Sequence, residues 1–174
     1  MNRWRFIPLL VLVAFVAAVA WRLSHPPDTK IASRMVGKAL PALVLPPAIP
    51  GQEGLRFQDS FNGPRLINFF ASWCVPCIAE SPMLMELKRQ GVPIEGIAVR
   101  DRPEAVAAFL AQHGNPYDGI GADRDSRVQL ALGSAGVPET FLIDAYGTVR
   151  RQHIGPIEAG DVAALRREWE ALQK

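Results

Sequence analysis

Cysteine and histidine are scarce in this chain of 174 residues, which has two of the first and three of the second. A closed zinc site usually draws on four ligands, and beyond the two thiols only His25, His113 and His153 remain, none near the cysteines in sequence. A structural disulfide is poorly served as well, because a Cys74–Cys77 bridge closes so short a loop that it restricts the unfolded chain little. Charge of one sign is also missing. Setting aside Arg3, Arg5 and Arg22, which border an apolar run, the chain carries 16 basic against 17 acidic residues, a formal charge of −1. That balance marks no nucleic-acid-binding surface, and nucleic acid is not an expected partner. No repeat or low-complexity tract is visible, and the length suits one domain with a full core.

Apolar residues make up 49% of the chain and concentrate at its start. From Phe6 to Trp21 there is no charge; Arg3 and Arg5 precede the run and Arg22 closes it. Such a helix spans roughly 24 Å against a hydrocarbon layer of roughly 30 Å, and Leu23 with snorkelling arginines extends it. The expectation is a single transmembrane helix with its basic end in the cytoplasm and the remaining chain exported. The rival is a cleaved signal peptide, since Ala18-Val19-Ala20 forms an A-x-A site. The expected division is an anchor over 1–23, a linker over 24–35 with two prolines and no hydrophobic period, and one folded domain over 36–174.

Within the domain, Arg65–Ala71 (RLINFFA) is an apolar run behind Gly63-Pro64 and predicts a buried strand. From Cys77 to Gln90, Ile78, Met83, Leu84 and Leu87 recur at helical spacing and Gly91 stops the helix. Ile94–Val99 predicts a second buried strand. Pro103–His113 predicts a helix with Val106, Phe109 and Leu110 inward. Thr140–Ile143, a turn over Asp144–Gly147 and Val149–Ile154 predict an antiparallel hairpin, and Glu158–Leu172 a last helix with Val162, Leu165, Trp169 and Leu172 on one face. The fold class is α/β, a mixed β-sheet covered by helices.

The two cysteines stand in Trp73-Cys74-Val75-Pro76-Cys77, where a buried strand meets a helix. A helix N-terminus offers unpaired N–H groups and partial positive charge, which lower a thiol's pKa. Cys74, just outside the first turn, is the expected attacking thiolate. Cys77, shielded by the helix body, is expected to resolve the mixed disulfide, and the two form the redox-active disulfide. Pro76 fits the first turn, where no backbone donor is needed. Two buried inert cysteines are the remaining bland alternative.

Asn68-Phe69-Phe70-Ala71-Ser72-Trp73-Cys74-Val75-Pro76-Cys77 resembles the active-site segment of thioredoxin-like proteins. Gly133-Ser134-Ala135-Gly136-Val137-Pro138-Glu139-Thr140-Phe141-Leu142-Ile143-Asp144 resembles the fingerprint of the cytochrome c biogenesis thioredoxins called CcmG or DsbE, relatives of TlpA and ResA. With Gly114-Asn115-Pro116-Tyr117 and Arg150–Gly155 the similarity covers nearly all of the chain from Val36. Ala135 departs from it, standing where members often carry a bulky residue. The resemblance implies a thioredoxin-like fold and a monomer in the periplasm, anchored in the bacterial inner membrane. It implies reduction of the disulfide of apocytochrome c, or of the chaperone holding it for haem ligation, and re-reduction by a membrane reductant of the DsbD or CcdA kind. It further implies a cis Pro138 beside the cysteines, leaving the Val137 backbone to bind an extended client.

Trp73 is the expected aromatic flank of Cys74. Asn68 stands where thioredoxin has a buried acid, and an amide cannot shuttle protons. Glu80, three residues past Cys77, is the candidate replacement, against the plain alternative of an acid stabilising the helix dipole by about 0.3–1 kcal/mol. Glu139 is the second candidate acid. A carboxylate close to a thiolate disfavours the reduced form and lowers the potential, so an acidic site points to a reductant. Asp123, Arg124, Asp125 and Arg127 read as a solvated face, and His113 and His153 as residues without chemistry. No cofactor or resident metal is expected. The alternatives are the same reductase chemistry on another exported client, such as a copper-site protein, and a copper metallochaperone, which would want a Cys-x-x-x-Cys pair with a nearby histidine.

Overall fold

The computed structural model describes residues 4, 7–24, 35–57 and 61–173. They belong to two compact units, Met1–Ala32 and Ser33–Lys174. In the first, the expected N-terminal helix is present as α1 (Ile7–Ser24). Among the described residues, however, no helix is long and apolar enough to cross a membrane. The 18 residues of α1 reach about 27 Å, and Arg22 lies in the last turn, so the apolar part stops short of the roughly 30 Å hydrocarbon layer. Arg3, Arg5 and, apart from Ser24 and Met35, the linker expected over 24–35 lie outside the described residues.

The second unit opens with a short antiparallel pair, β1 (Leu43–Leu45) and β2 (Leu55–Phe57). There follow β3 (Arg65–Phe70), α2 (Val75–Arg89), β4 (Ile94–Val99), α3 (Pro103–His113), β5 (Gly119–Asp123), α4 (Arg127–Ala131), β6 (Glu139–Ile143), β7 (Val149–Ile154) and α5 (Ala159–Ala171). The main sheet has the order β5-β4-β3-β6-β7. Strand β3 pairs in parallel with β4 and antiparallel with β6, while β4 pairs in parallel with β5 and β6 antiparallel with β7.

The central strands are apolar throughout because both faces of the sheet are covered. Successive side chains of β3 alternate between two cores: Leu66 and Phe70 enter one with Leu84, Leu87, Phe109, Leu110, Val162 and Leu165 of α2, α3 and α5. Ile67 and Phe69 enter the other, with Leu45, Leu55, Phe57, Val128 and Phe141 beneath β1, β2 and α4. Phe69 and Phe141 meet edge to face at 5.7 Å, and each fully buried aromatic of this kind contributes about 1.5–3 kcal/mol. Asn68, between Leu66 and Phe70 in the alternation, is carried by the same register to the face that α2 covers.

Elements β1, β2, β5 and α4 were not expected. Strand β5 reads GIGAD, with two glycines where strand formers are usual, and the reason is packing. A Cβ on Gly121 would stand 2.7 Å from Leu45 Cβ, and one on Gly119 would stand 2.8 Å from Leu55 Cδ2. The hairpin of β1 and β2 therefore lies directly on the backbone of β5. The solvated face read at 123–127 is corrected at Asp123, which is buried and accepts the Gln129 N–H at 2.8 Å. Asp125 and Arg127 are exposed. Ile78, expected inward on α2, is 37% exposed, because the helix begins at Val75 and buries Cys77, Glu80, Ser81, Leu84 and Leu87 instead.

Candidate active site

Strand β3 ends at Phe70, and the chain turns through Ala71–Cys74, closed by the Cys74 N–H donating to Ala71 O at 3.2 Å. Cys74 has extended backbone (φ −89°, ψ 105°) and caps α2. Its Sγ accepts the Cys77 N–H at 3.2 Å, satisfying one of the orphan donors of the helix, while Pro76 in the first turn removes another. The sulfur thus lies where the helix dipole favours negative charge. Cys74 and Cys77 are joined as a disulfide with their Cα atoms 5.2 Å apart. The sequence places Cys74 outside the helix and Cys77 within it; the structure buries both, at 4% and 1% exposure. What projects is the flank, Trp73 at 59% and Val75 at 73%.

The turn is fastened from the loop after β4. Asp101 accepts the Ser72 N–H on Oδ2 at 2.5 Å and the Ser72 hydroxyl on Oδ1 at 2.9 Å, and Oδ1 also takes the Arg102 N–H. Arg100, just before it, holds the left-handed conformation at φ 49°, uncommon for a residue with a side chain, and its N–H donates to Asp123 O. The buried Asp123 therefore supports the loop that carries Asp101.

Glu80 is fully buried one turn below Cys77. Its Oε1 accepts from Asn68 Nδ2 at 3.0 Å and its Oε2 from the Ile157 N–H at 3.0 Å. Burial dominates over these two stabilising bonds and pushes its pKa up to about 7. A carboxyl poised there takes or gives a proton near neutrality. Asn68 Nδ2 also donates to Thr140 Oγ1 at 3.0 Å, its partner across β3 and β6, and Asn68 Oδ1 accepts from the Tyr117 hydroxyl at 2.8 Å. The involvement of Asn68 and Tyr117 was missed in the sequence; the Asn-Pro-Tyr segment was the only signal that singled out Tyr117.

The Val137–Pro138 peptide bond is cis. Val137 is half-buried and makes no hydrogen bond with another described residue. Glu139 is fully buried, and its two oxygens take the Ala135 N–H at 2.9 Å and the Gln152 side-chain amide. It fastens the loop leading to Pro138 and offers no free oxygen to a client. His153 bonds Pro156 O at 3.2 Å. Among the described residues no group of three histidine, cysteine or acidic side chains is placed to hold a metal ion.

A C-x-x-C disulfide that caps a helix, at the carboxyl end of a central parallel strand, defines a thiol:disulfide oxidoreductase of thioredoxin-like fold. Residues 35–167 match the Redoxin family model, and the chain belongs to that family. It is 37% identical over 153 residues to the thiol:disulfide interchange protein HelX of Rhodobacter capsulatus, covering 87% of this chain and 86% of the relative. It is 38% identical over 158 residues to the thiol:disulfide interchange protein DsbE of Pseudomonas fluorescens, covering 91% and 88%. Among solved structures, a Chlorobium tepidum protein assigned as a thiol:disulfide interchange protein DsbE superposes with a TM-score of 0.66 at 25% identity, over 80% of this chain and 98% of that one.

Proposed function

We propose that this chain is a monomeric, exported reductant that opens the disulfide of apocytochrome c, or of the chaperone that presents it, before haem attachment. A membrane protein of the DsbD or CcdA kind would return its electrons. The observation that carries the direction is Glu80, a buried carboxyl one turn from Cys77 whose charge opposes a thiolate at the cysteine pair. Opposition to the thiolate destabilises the dithiol relative to the disulfide and makes the dithiol a better electron donor. The names of the relatives, DsbE and HelX interchange proteins, support the choice of pathway.

In the proposed reaction the Cys74 thiolate attacks one sulfur of the client disulfide, forming a mixed disulfide and expelling the first client thiolate, which takes a proton from solvent. The Cys77 thiol then gives its proton to the Glu80 carboxylate, and its sulfur attacks Cys74 Sγ. The Cys74–Cys77 bond forms, the bond to the client breaks, and the second client sulfur leaves as a thiolate that takes a proton from solvent. Two electrons pass to the client and the dithiol becomes the disulfide seen here. The Val137 backbone, without a hydrogen bond to another described residue, is our candidate for pairing with an extended client strand, and the exposed Trp73 for its apolar contact.

Export rests on the charge-free run from Phe6 to Trp21, which we read as an anchor of the inner membrane lengthened by the arginines on either side, with the domain in the periplasm. The test is the reduction potential of the full-length chain in detergent, equilibrated in graded thiol buffers. A value at or below about −270 mV supports a reductant, and one near about −120 mV makes the chain an oxidant and defeats the proposal. A Cys77→Ser variant should retain a peptide bearing an oxidised C-x-x-C-H motif as a mixed disulfide.

A further inference from the structure

Asn68 makes three hydrogen bonds around one amide, and their directions are linked. Its Oδ1 faces the Tyr117 hydroxyl, and its Nδ2 faces both Glu80 Oε1 and Thr140 Oγ1. Tyr117 is 7% exposed and stacks on Phe70 at 4.8 Å, with its hydroxyl directed to Asn68. Burial and the nearby Glu80 raise its pKa well above the ordinary phenol value, so it remains an O–H donor. That hydroxyl makes no other hydrogen bond among the described residues.

A side-chain amide in a buried network can turn over, exchanging its oxygen and nitrogen. If Asn68 did so, its oxygen would face Glu80, which suits only a protonated carboxyl, and its NH2 would face the phenol. The phenol hydrogen would then be buried without an acceptor, a costly state. We infer that Tyr117 locks the Asn68 amide with its NH2 toward Glu80, and that Asn68 and Tyr117 are thereby positioning residues that keep Glu80 a proton acceptor for the resolving step. The two residues touch neither cysteine sulfur by hydrogen bond and move no proton themselves.

This inference rests on Glu80 being the base that takes the Cys77 proton. Glu80 itself bonds Asn68 on β3 and the Ile157 N–H ahead of α5; Asn68 in turn bonds Thr140 on β6 and Tyr117 ahead of β5, and Cys77 stands one turn earlier on the same helix. Behind Thr140 on β7, His153 faces Asp161 of α5 at 3.8 Å, and neither bonds Glu80. No described cation is paired with Glu80.

The test uses the full-length reduced chain in detergent, mixed with dithionitrobenzoate in stopped flow. Attack by Cys74 releases one thionitrobenzoate, and attack by Cys77 on the mixed disulfide releases the second, which leaves as an anion throughout the working pH range. The rate of the second release should rise with pH through a midpoint set by Glu80. In Glu80→Gln that step should vanish and give way to the thiol's own ionisation at higher pH; if the step persists unchanged, the reading of Glu80 as base fails and this inference falls with it.

Where Glu80→Gln removes the step, Tyr117→Phe decides the matter. The phenyl ring keeps the stacking on Phe70 and loses only the lock. The midpoint should move up by about one pH unit, an approximately tenfold change in the ionisation constant. The rate below both midpoints should fall about tenfold, and the high-pH plateau should hold. A midpoint that stays in place overturns the inference. In the unaltered protein, proton contacts between the Asn68 NH2 and the Thr140 methyl group support the assigned orientation, and contacts between that NH2 and the Tyr117 ring overturn it.

Discussion

Replacing Glu80 with glutamine should favour the variant increasingly as pH rises, and the sign follows from the raised pKa of Glu80. An unfolded glutamate ionises near its ordinary value of 4.5, whereas Glu80 in the folded protein does so at about 7. Below the first value the carboxyl is protonated in both states and costs nothing. As pH rises between the two values the unfolded chain ionises first, and stability is lost until the folded form has ionised as well. The full loss is about 3.5 kcal/mol, at about 1.4 kcal/mol for each pH unit between the two values. Glutamine removes the ionisation; it keeps one acceptor oxygen and sets an NH2 against one of the two donors that Glu80 serves, a cost that does not vary with pH. Relative to the parent, the variant should gain up to about 3.5 kcal/mol between pH 4 and pH 8. The assay is urea unfolding of the oxidised Ser33–Lys174 unit across that range, with the cysteines locked in the disulfide so that they contribute no titration. A difference that does not change with pH, or one that favours the parent more as pH rises, would refute the burial argument.

Two further substitutions test how the site is held. Gly121→Ala drives a methyl group into Leu45, so it should cost about 1–3 kcal/mol in urea unfolding; Leu45→Ala in that background should give less than its own separate loss, and full additivity would count against the contact. Asp101→Ala strands the buried-side Ser72 N–H and should cost about 1–3 kcal/mol, whereas Ser72→Ala keeps that N–H bond and should cost about 0.5–1.5 kcal/mol. Thermal unfolding that ranks the two the other way would show that the clamp does not act through the backbone.

The segments legible in the sequence are those whose partners lie within a few residues. The runs that became β3, β4, β6 and β7 carry their own apolar pattern, and α2, α3 and α5 carry helical spacing with stops at Gly91, at Gly114 and past Leu172. Cys74 was legible for the same reason, since a cap is decided by the three residues that follow it. Strand β5 was not, because its glycines answer to Leu45 and Leu55 far up the chain, and no local rule turns GIGAD into a strand.

The site divides in the same way. Glu80 was found from its spacing to Cys77, but the groups that make it useful come from four separate places, β3, β6, the segment before β5 and the segment before α5. Asn68 was set aside because an amide cannot carry a proton. Its position shows a different use: an amide can be oriented, and once the Tyr117 hydroxyl holds its oxygen, its nitrogen has only Glu80 and Thr140 to serve. Glu139 moved the opposite way, from a candidate acid at the thiol to a brace for the loop before Pro138, because Ala135 and Gln152 occupy both of its oxygens. A carboxylate's place in a motif thus leaves its task undecided between acid and brace. The decision lies in what its two oxygens meet: at Glu80 two hydrogen-bond donors in a site that burial makes costly for charge, and at Glu139 the backbone and side chain that it ties together.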